Sequence, residues 1–303
     1  MGVKRSIGYG LAGSSILGVG VAAKRLFALD RQRGVYRRAW ESHSLATLKW
    51  LSDLDGQEGT TGALEDKDQE NAEAKNEENT HAQRPFVYVA LGDSSVQGIG
   101  ASSVEESYPA RLASAIETAK GQKVALINIS LSGATTESVE MGQIPLMRGL
   151  GLLDPGNEPD LVTLTIGGND VMVPQITPSA YSLAIARILD ALKGRVLVST
   201  IPSFAPMSQD SRAQDMSELL AEEARAHGAG LVDIRALSQS WSLASYAFHY
   251  HAADMFHPNT QAYAAWAQEF YNVFAKDAGL RPLDVASAPQ WGIGSHRVAE
   301  SEA

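Results

Sequence analysis

The chain has no cysteine among its 303 residues. Disulfides, thiolate nucleophiles and cysteine-bound zinc are therefore excluded, and the redox compartment leaves no mark on the sequence. It also lacks an excess of base: 25 Lys and Arg stand against 35 Asp and Glu, a formal charge of -10. That balance argues against nucleic acid as a partner, because phosphate backbones are held by basic surface. No G-x-G-x-x-G and no Walker lysine follows a strand-like run, so the marks of dinucleotide and nucleotide-phosphate binding are missing from the places where they act. A hydrophobic fraction of 44% is nevertheless enough for a packed core.

Long apolar runs are scarce as well. Ser6–Ala23 carries no charge and lies between Lys4-Arg5 and Lys24-Arg25. Its eighteen residues sit at the short end of what crosses a bilayer, and its glycines and serines dilute the hydropathy. Three readings stand side by side: a single-pass anchor, a signal peptide cut near Val21-Ala22-Ala23, and a glycine-rich helix lying on a protein or membrane surface. The bases that follow the run (Lys24, Arg25, Arg31, Arg33, Arg37 and Arg38) would keep the C-terminal side in the cytoplasm but burden an exported signal, so the side of the membrane stays open.

Charge then divides the chain. We expect an N-terminal apolar segment at 1–28, a basic helical arm at 29–51 and an acidic disordered linker at 52–84. An α/β domain at 85–278 and a C-terminal tail at 279–303 without clear structure complete the organisation. The arm, with Leu29, Trp40, Leu45, Leu48 and Leu51 among basic residues, either lies against anionic headgroups or packs on the domain. Residues 1–50 are thus the candidate region for membrane association. The linker is acidic and almost free of aromatics, and cannot bury enough surface to fold.

From Pro85 the pattern alternates. Largely apolar runs occur at Phe86–Leu91, Val124–Ile129, Leu161–Ile166, Val196–Ile201 and Leu231–Ile234, the first four free of charge and the last carrying Asp233, as expected of strands buried on both faces. Helical stretches lie between and after them, at Tyr108–Thr118, Thr136–Leu150, Ser179–Leu192, Asp210–His227 and Thr260–Asp277. In the last, Tyr263, Trp266, Phe270 and Phe274 recur at spacings of three and four and mark a core-facing stripe. The alternation predicts a three-layer, flavodoxin-like α/β/α domain with a five-stranded parallel sheet.

Open parallel sheets collect function beyond the carboxyl ends of their strands. The residues there are Gly92-Asp93-Ser94-Ser95, then Ser130 to Thr136 with Gly133, then Gly167-Gly168-Asn169-Asp170, and in a late loop Asp254-Met255-Phe256-His257-Pro258. These are the types that acyl transfer to serine requires. The hydroxyl needs a base, histidine serves at neutral pH, a carboxylate fixes the imidazole, and amide donors receive the oxyanion.

The four blocks resemble the SGNH hydrolases, the GDSL esterase/lipase family, in family order over roughly Pro85 to Asp277. Ser95 stands where that family often has leucine. The resemblance implies that Ser94 is the nucleophile, His257 the general base and Asp254 its orienting acid. It further implies an oxyanion hole made by the N–H groups of Ser94 and Gly133 and the side chain of Asn169. Asp93 and Asp170 read as structural hydrogen-bond partners, and Met255-Phe256 as shapers of the acyl side. The G-x-S-x-G elbow of α/β-hydrolases is absent. Such a site needs no metal or organic cofactor and nothing beyond a monomer; its partner is a small-molecule or lipid ester. Two alternatives remain: a metal-dependent hydrolase at His249, His251, Asp254 and His257, and a non-catalytic flavodoxin-like binding module.

Overall fold

A computed structural model describes residues 29–54, 84–245 and 249–292. The apolar run at 6–23 and most of the acidic linker lie outside these residues. Among the described residues no helix is long and apolar enough to cross a membrane.

Five strands form: β1 (Phe86–Gly92), β2 (Val124–Asn128), β3 (Leu161–Thr165), β4 (Val196–Ser199) and β5 (Gly230–Val232). All pair in parallel, in the order β2-β1-β3-β4-β5. Every residue of β1, β2 and β3 is buried, which is why these runs could dispense with polar alternation. The chain moves outward from β1 to β2 and then returns past β1 to β3. The order reverses between β1 and β3, and at such a switch point the connections leave in opposite directions and open a crevice.

Helices cover both faces. One layer holds α1 (residues 29–54), α2 (Tyr108–Lys120) and α8 (Thr260–Ala278). Here Tyr36, Trp40, Tyr108, Ile116, Trp266 and Phe270 share one core. The other layer holds α3 (Thr136–Ser138, a π-turn at Val139–Gln143, then Ile144–Gly149), α5 (Pro178–Ala191) and α6 (Asp210–Ala226). Two shorter helices, α4 (Gly168–Met172) and α7 (Ile234–Ser240), follow β3 and β5 directly.

The arm packs on the domain. Tyr36, Trp40, His43, Ser44 and Thr47 form its buried stripe at helical spacing. Tyr36 and Trp40 join the core beneath α2 and α8, whereas Leu48, Trp50 and Leu51 pack against the opposite layer. Helix α1 therefore crosses the free edge of the sheet. At that edge the Ser44 hydroxyl accepts from the Asn128 N–H (3.1 Å) and donates to the Asn128 carbonyl (3.3 Å), satisfying backbone groups that an edge strand leaves unpaired.

The segment after Gly279 also differs from the expectation of a trailing tail. Gln268 on α8 donates to Leu283 O and accepts from Val285 N, and Val285 and Trp291 are buried. Trp291 meets His43 of α1 edge-on at 6.4 Å, so apolar residues spaced too irregularly to read as an element still find the core.

Candidate active site

β1 ends at Gly92, whose φ of +139° and close approach admit no side chain: a Cβ there would lie 1.9 Å from Thr165 O of β3. The amide of Gln143, in the π-turn, accepts from Gly92 N (2.9 Å) and donates to Gly92 O (2.7 Å), closing both backbone groups of the strand end. The chain then turns through Asp93 and Ser94 at the switch point. Asp93 is buried, and Ser95 donates to its Oδ1 through both its N–H (2.9 Å) and its hydroxyl (2.8 Å). Burial pushes the Asp93 carboxyl above its ordinary value, against those hydrogen bonds.

Ser94 Oγ lies 2.9 Å from His257 Nε2. On the far side of the ring, His257 Nδ1 meets Asp254 Oδ2 at 2.5 Å. The remaining oxygen, Oδ1, accepts from the N–H groups of Phe256 (3.1 Å) and His257 (3.0 Å), which fixes the carboxylate against rotation. Burial raises the Asp254 pKa, but the bonds from the His257 ring and from the two backbone N–H groups outweigh it and hold the carboxyl at about 2. Met255, at φ +56°, makes the tight turn that lets two side chains three residues apart face each other.

The Ser94, Gly133 and Asn169 amides sit on separate segments, two in loops and the third at the start of α4. Gly133 is exposed, at φ +83°. Among the described residues no protein acceptor takes the Gly133 N–H or the Ser94 N–H. Asn169 lies in the first turn of α4, after Gly167, where a Cβ would strike Ile201 and the Tyr181 hydroxyl. Its amide donates to Ala134 O at 2.8 Å and stands 3.5 Å from Asp93 Oδ2, so one of its two hydrogens makes only a long contact. Asp170, next in the chain, accepts from Thr136 N (3.0 Å) and Thr136 Oγ1 (2.6 Å) and so ties α4 to the Gly133 loop. Burial also raises the Asp170 pKa, against the bonds from Thr136. Arg212 of α6 donates to the carbonyls of Asp170, Val171, Val173 and Ile176, holding the chain just beyond Asn169.

All five residues singled out from the sequence thus converge at one sheet edge. Gln143 and Arg212 lie outside the four blocks read from the sequence. Their partners are mainly backbone groups, and nothing in the spacing of a lone polar residue reports a carbonyl brought near by the fold. The metal alternative is corrected: among the described residues no group of three or more His, Asp or Glu side chains could hold an ion. Both His257 nitrogens are engaged, by Asp254 and by Ser94. His249 and His251 instead offer backbone carbonyls to Asn259 Nδ2 (2.7 and 3.3 Å), in the loop that carries His257.

Beside Ser94 and His257 opens a cavity of about 220 Å³. Ile166, Ile201, Phe204, Met207, Met255 and Phe256 supply apolar walls. The lining residues Ser203 and Phe204 are held by Asp210, which accepts from Phe204 N (2.6 Å), Ser203 Oγ (3.0 Å) and Arg235 Nη2 (3.0 Å).

Residues 90–265, more than half of the chain, match the model of the GDSL-like Lipase/Acylhydrolase family. A GDSL-like esterase of Mycobacterium tuberculosis is 28% identical over 208 residues, covering 64% of this chain and 63% of that protein. The chain therefore spans somewhat less than two thirds of that relative's length. Among solved structures, the lipase/acylhydrolase from Enterococcus faecalis is similar with a TM-score of 0.50 at 20% identity, covering 65% of this chain and 98% of the other. TesA is similar with a TM-score of 0.50 at 19% identity, covering 63% and 98%. At these identities the two structures bear on the fold alone.

Proposed function

Because the chain belongs to the GDSL-like lipase/acylhydrolase family and has the SGNH hydrolase fold, we propose that it hydrolyses carboxylic esters through an acyl-enzyme on Ser94. The observation that carries this reading is the unbroken chain of contacts from Ser94 Oγ through the His257 ring to Asp254. Ser94 Oγ attacks the ester carbonyl as its proton passes to His257 Nε2. Asp254, ionised at any pH well above about 2, keeps the Nδ1 proton in place and stabilises the imidazolium that forms. The Ser94 and Gly133 N–H groups, with the Asn169 amide, receive the oxyanion; for Asn169 this means leaving its long contact with Asp93. The carbon–oxygen bond to the alcohol breaks, and the alcohol departs with the proton from His257. Water then gives a proton to His257 and its oxygen to the acyl carbon; the bond from that carbon to Ser94 Oγ breaks, the proton passes from His257 Nε2 back to Ser94 Oγ, and the acid leaves.

The cavity indicates which esters. Its largely apolar walls suit a hydrocarbon acyl chain over a charged or strongly polar one. Attachment to a membrane through residues 6–23 rests on the sequence alone, since that run lies outside the described residues. The decisive experiment compares wild type and Ser94→Ala on p-nitrophenyl butyrate and octanoate. Turnover should fall a thousandfold or more in the variant. Near-normal turnover would overturn the assignment.

A further inference from the structure

The arm is outside the matched family stretch of residues 90–265, yet its side chains end on the loop behind Ser94. Gln32 accepts from Gly100 N (2.9 Å) and donates to Ala101 O (2.7 Å). Tyr36 OH donates to the same carbonyl (2.9 Å) and accepts from Gln32 Nε2 (2.7 Å). Trp40 Nε1 donates to Gln97 O at 3.1 Å. The loop from Ser94 to Ala101 is a succession of turns. Its backbone groups at 97, 100 and 101 point away from any strand partner and are satisfied by the arm. The loop in turn backs the segment that carries His257: a Cβ on Gly100 would lie 2.2 Å from Pro258 O, 2.9 Å from Ala252 Cβ and 3.3 Å from His257 Cβ. No layer of side chains separates the two. Ile99 N also donates to Ser94 O (3.0 Å), so the same loop is fastened to the serine.

We propose that Gln32, Tyr36 and Trp40 of the N-terminal helix are positioning residues of the active site, setting the Ser94–His257 approach through residues 97–101. The proposal rests on the reading of Ser94 and His257 given above. Those two residues come from loops 163 positions apart in sequence, and a 2.9 Å contact between them survives only while both loops keep their places. A displacement near 1 Å at a reacting pair costs about a hundredfold in rate. The arm makes four side-chain hydrogen bonds to the Ser94 loop, and Tyr263 OH holds Ile99 O (2.8 Å). Loss of the arm's contacts frees the backbone groups at 97, 100 and 101 and leaves the loop held at 96, 97 and 99, where Asn128 Nδ2 donates to Val96 O (3.0 Å), Gln97 Nε2 to Ser130 O (3.0 Å) and Tyr263 OH to Ile99 O.

The test uses the full chain carrying Gln32→Ala, Tyr36→Phe or both, with Arg37→Ala as control. Arg37 is on the same helix but exposed and, among the described residues, paired with Glu41. On p-nitrophenyl butyrate the double variant should lose about tenfold to a hundredfold in kcat, with KM within about threefold, and Arg37→Ala should match wild type. A second readout uses no ester: in histidine-labelled protein the His257 ring resonances should move in Gln32→Ala and Tyr36→Phe and stay fixed in Arg37→Ala. Should the double variant fail to fold, Tyr36→Phe, which removes one oxygen, carries the test alone. A folded variant with wild-type kcat and unmoved His257 resonances overturns the proposal, whatever its melting temperature. If Ser94→Ala keeps full activity while the resonances still move, it is the esterase reading that fails and the brace that stands.

Discussion

Replacing Asp254 by Asn changes one atom and should disable the site. The Oδ1 position already accepts from the Phe256 and His257 N–H groups, so Asn will place its own oxygen there. The NH₂ group then faces His257 Nδ1, where Oδ2 sat at 2.5 Å. A donor opposite Nδ1 demands a lone pair on that nitrogen and forces the proton onto Nε2, the atom that must take the proton from Ser94. The expected loss in kcat is about 10⁴-fold with the fold intact, the cost of holding the wrong tautomer. Stability changes as well. The carboxyl is held at about 2 against an ordinary 3.8, and its side chain is only 19% exposed. The difference corresponds to about 2 kcal/mol. Because the folded-state value is the lower one, this contribution is complete above the ordinary carboxylate range and fades as pH falls through about 2. Urea titrations at pH 5 and at successive steps down to pH 2 should show the gap between wild type and Asp254→Asn closing from about 2 kcal/mol towards zero. A gap that stays constant over that range, or a kcat within tenfold of wild type, would refute the orienting role.

Two further outcomes follow from burial. Trp40→Ala should cost about 3–5 kcal/mol, because the ring is 2% exposed and belongs to the core shared with α2 and α8. At about 2–4 °C per kcal/mol for a domain of this size, thermal unfolding should shift down by about 6–20 °C; a shift under 2 °C would mean that the arm is not part of the cooperative unit. Phe204→Ala should lengthen the preferred acyl chain, since Phe204 lines the cavity and packs edge-on against Phe256 at 5.9 Å, so its loss widens the apolar wall. Chain-length profiles over p-nitrophenyl esters read this directly, and an unchanged optimum would place the acyl group elsewhere.

The strands were legible in the sequence because burial on both faces leaves an uninterrupted apolar run. Their ends were less so: Ile129, Ile166 and Ile201 continue the runs but lie past the last paired residues, in loops that the site buries. The run Leu231–Ile234 predicts a strand ending at Ile234, which instead opens α7 behind an Asp233 side-chain cap. The arm's packing was masked by its composition. Three of its five inward positions, His43, Ser44 and Thr47, are polar, so the stripe does not stand out among the arginines. Ser94, Asn169, Asp254 and His257 could be picked out because strand ends and a late loop are where an α/β sheet delivers chemistry. Gln143 could not, since its value lies in meeting one glycine of a strand 51 residues away.

The three donors proposed for the oxyanion come from three segments, and each of those segments is held by a polar side chain buried at some cost. Asp93 and Asp170 are 6% and 0% exposed, and burial raises the pKa of both. A carboxyl in such a place destabilises the fold unless donors meet it. Asp93 meets Ser95 and so shapes the turn that presents the Ser94 N–H. Asp170 meets Thr136 and so fixes α4, with Asn169, against the loop that carries Gly133. Apolar residues at these positions would bury more comfortably but could not reach across loops to named N–H groups. The fold thus gives up stability at the switch point to keep the donors in place before any substrate arrives, which is the condition under which they lower a barrier without reorganising. The arm meets the Ser94 loop from outside the sheet in the same way, with neutral side chains in place of acids.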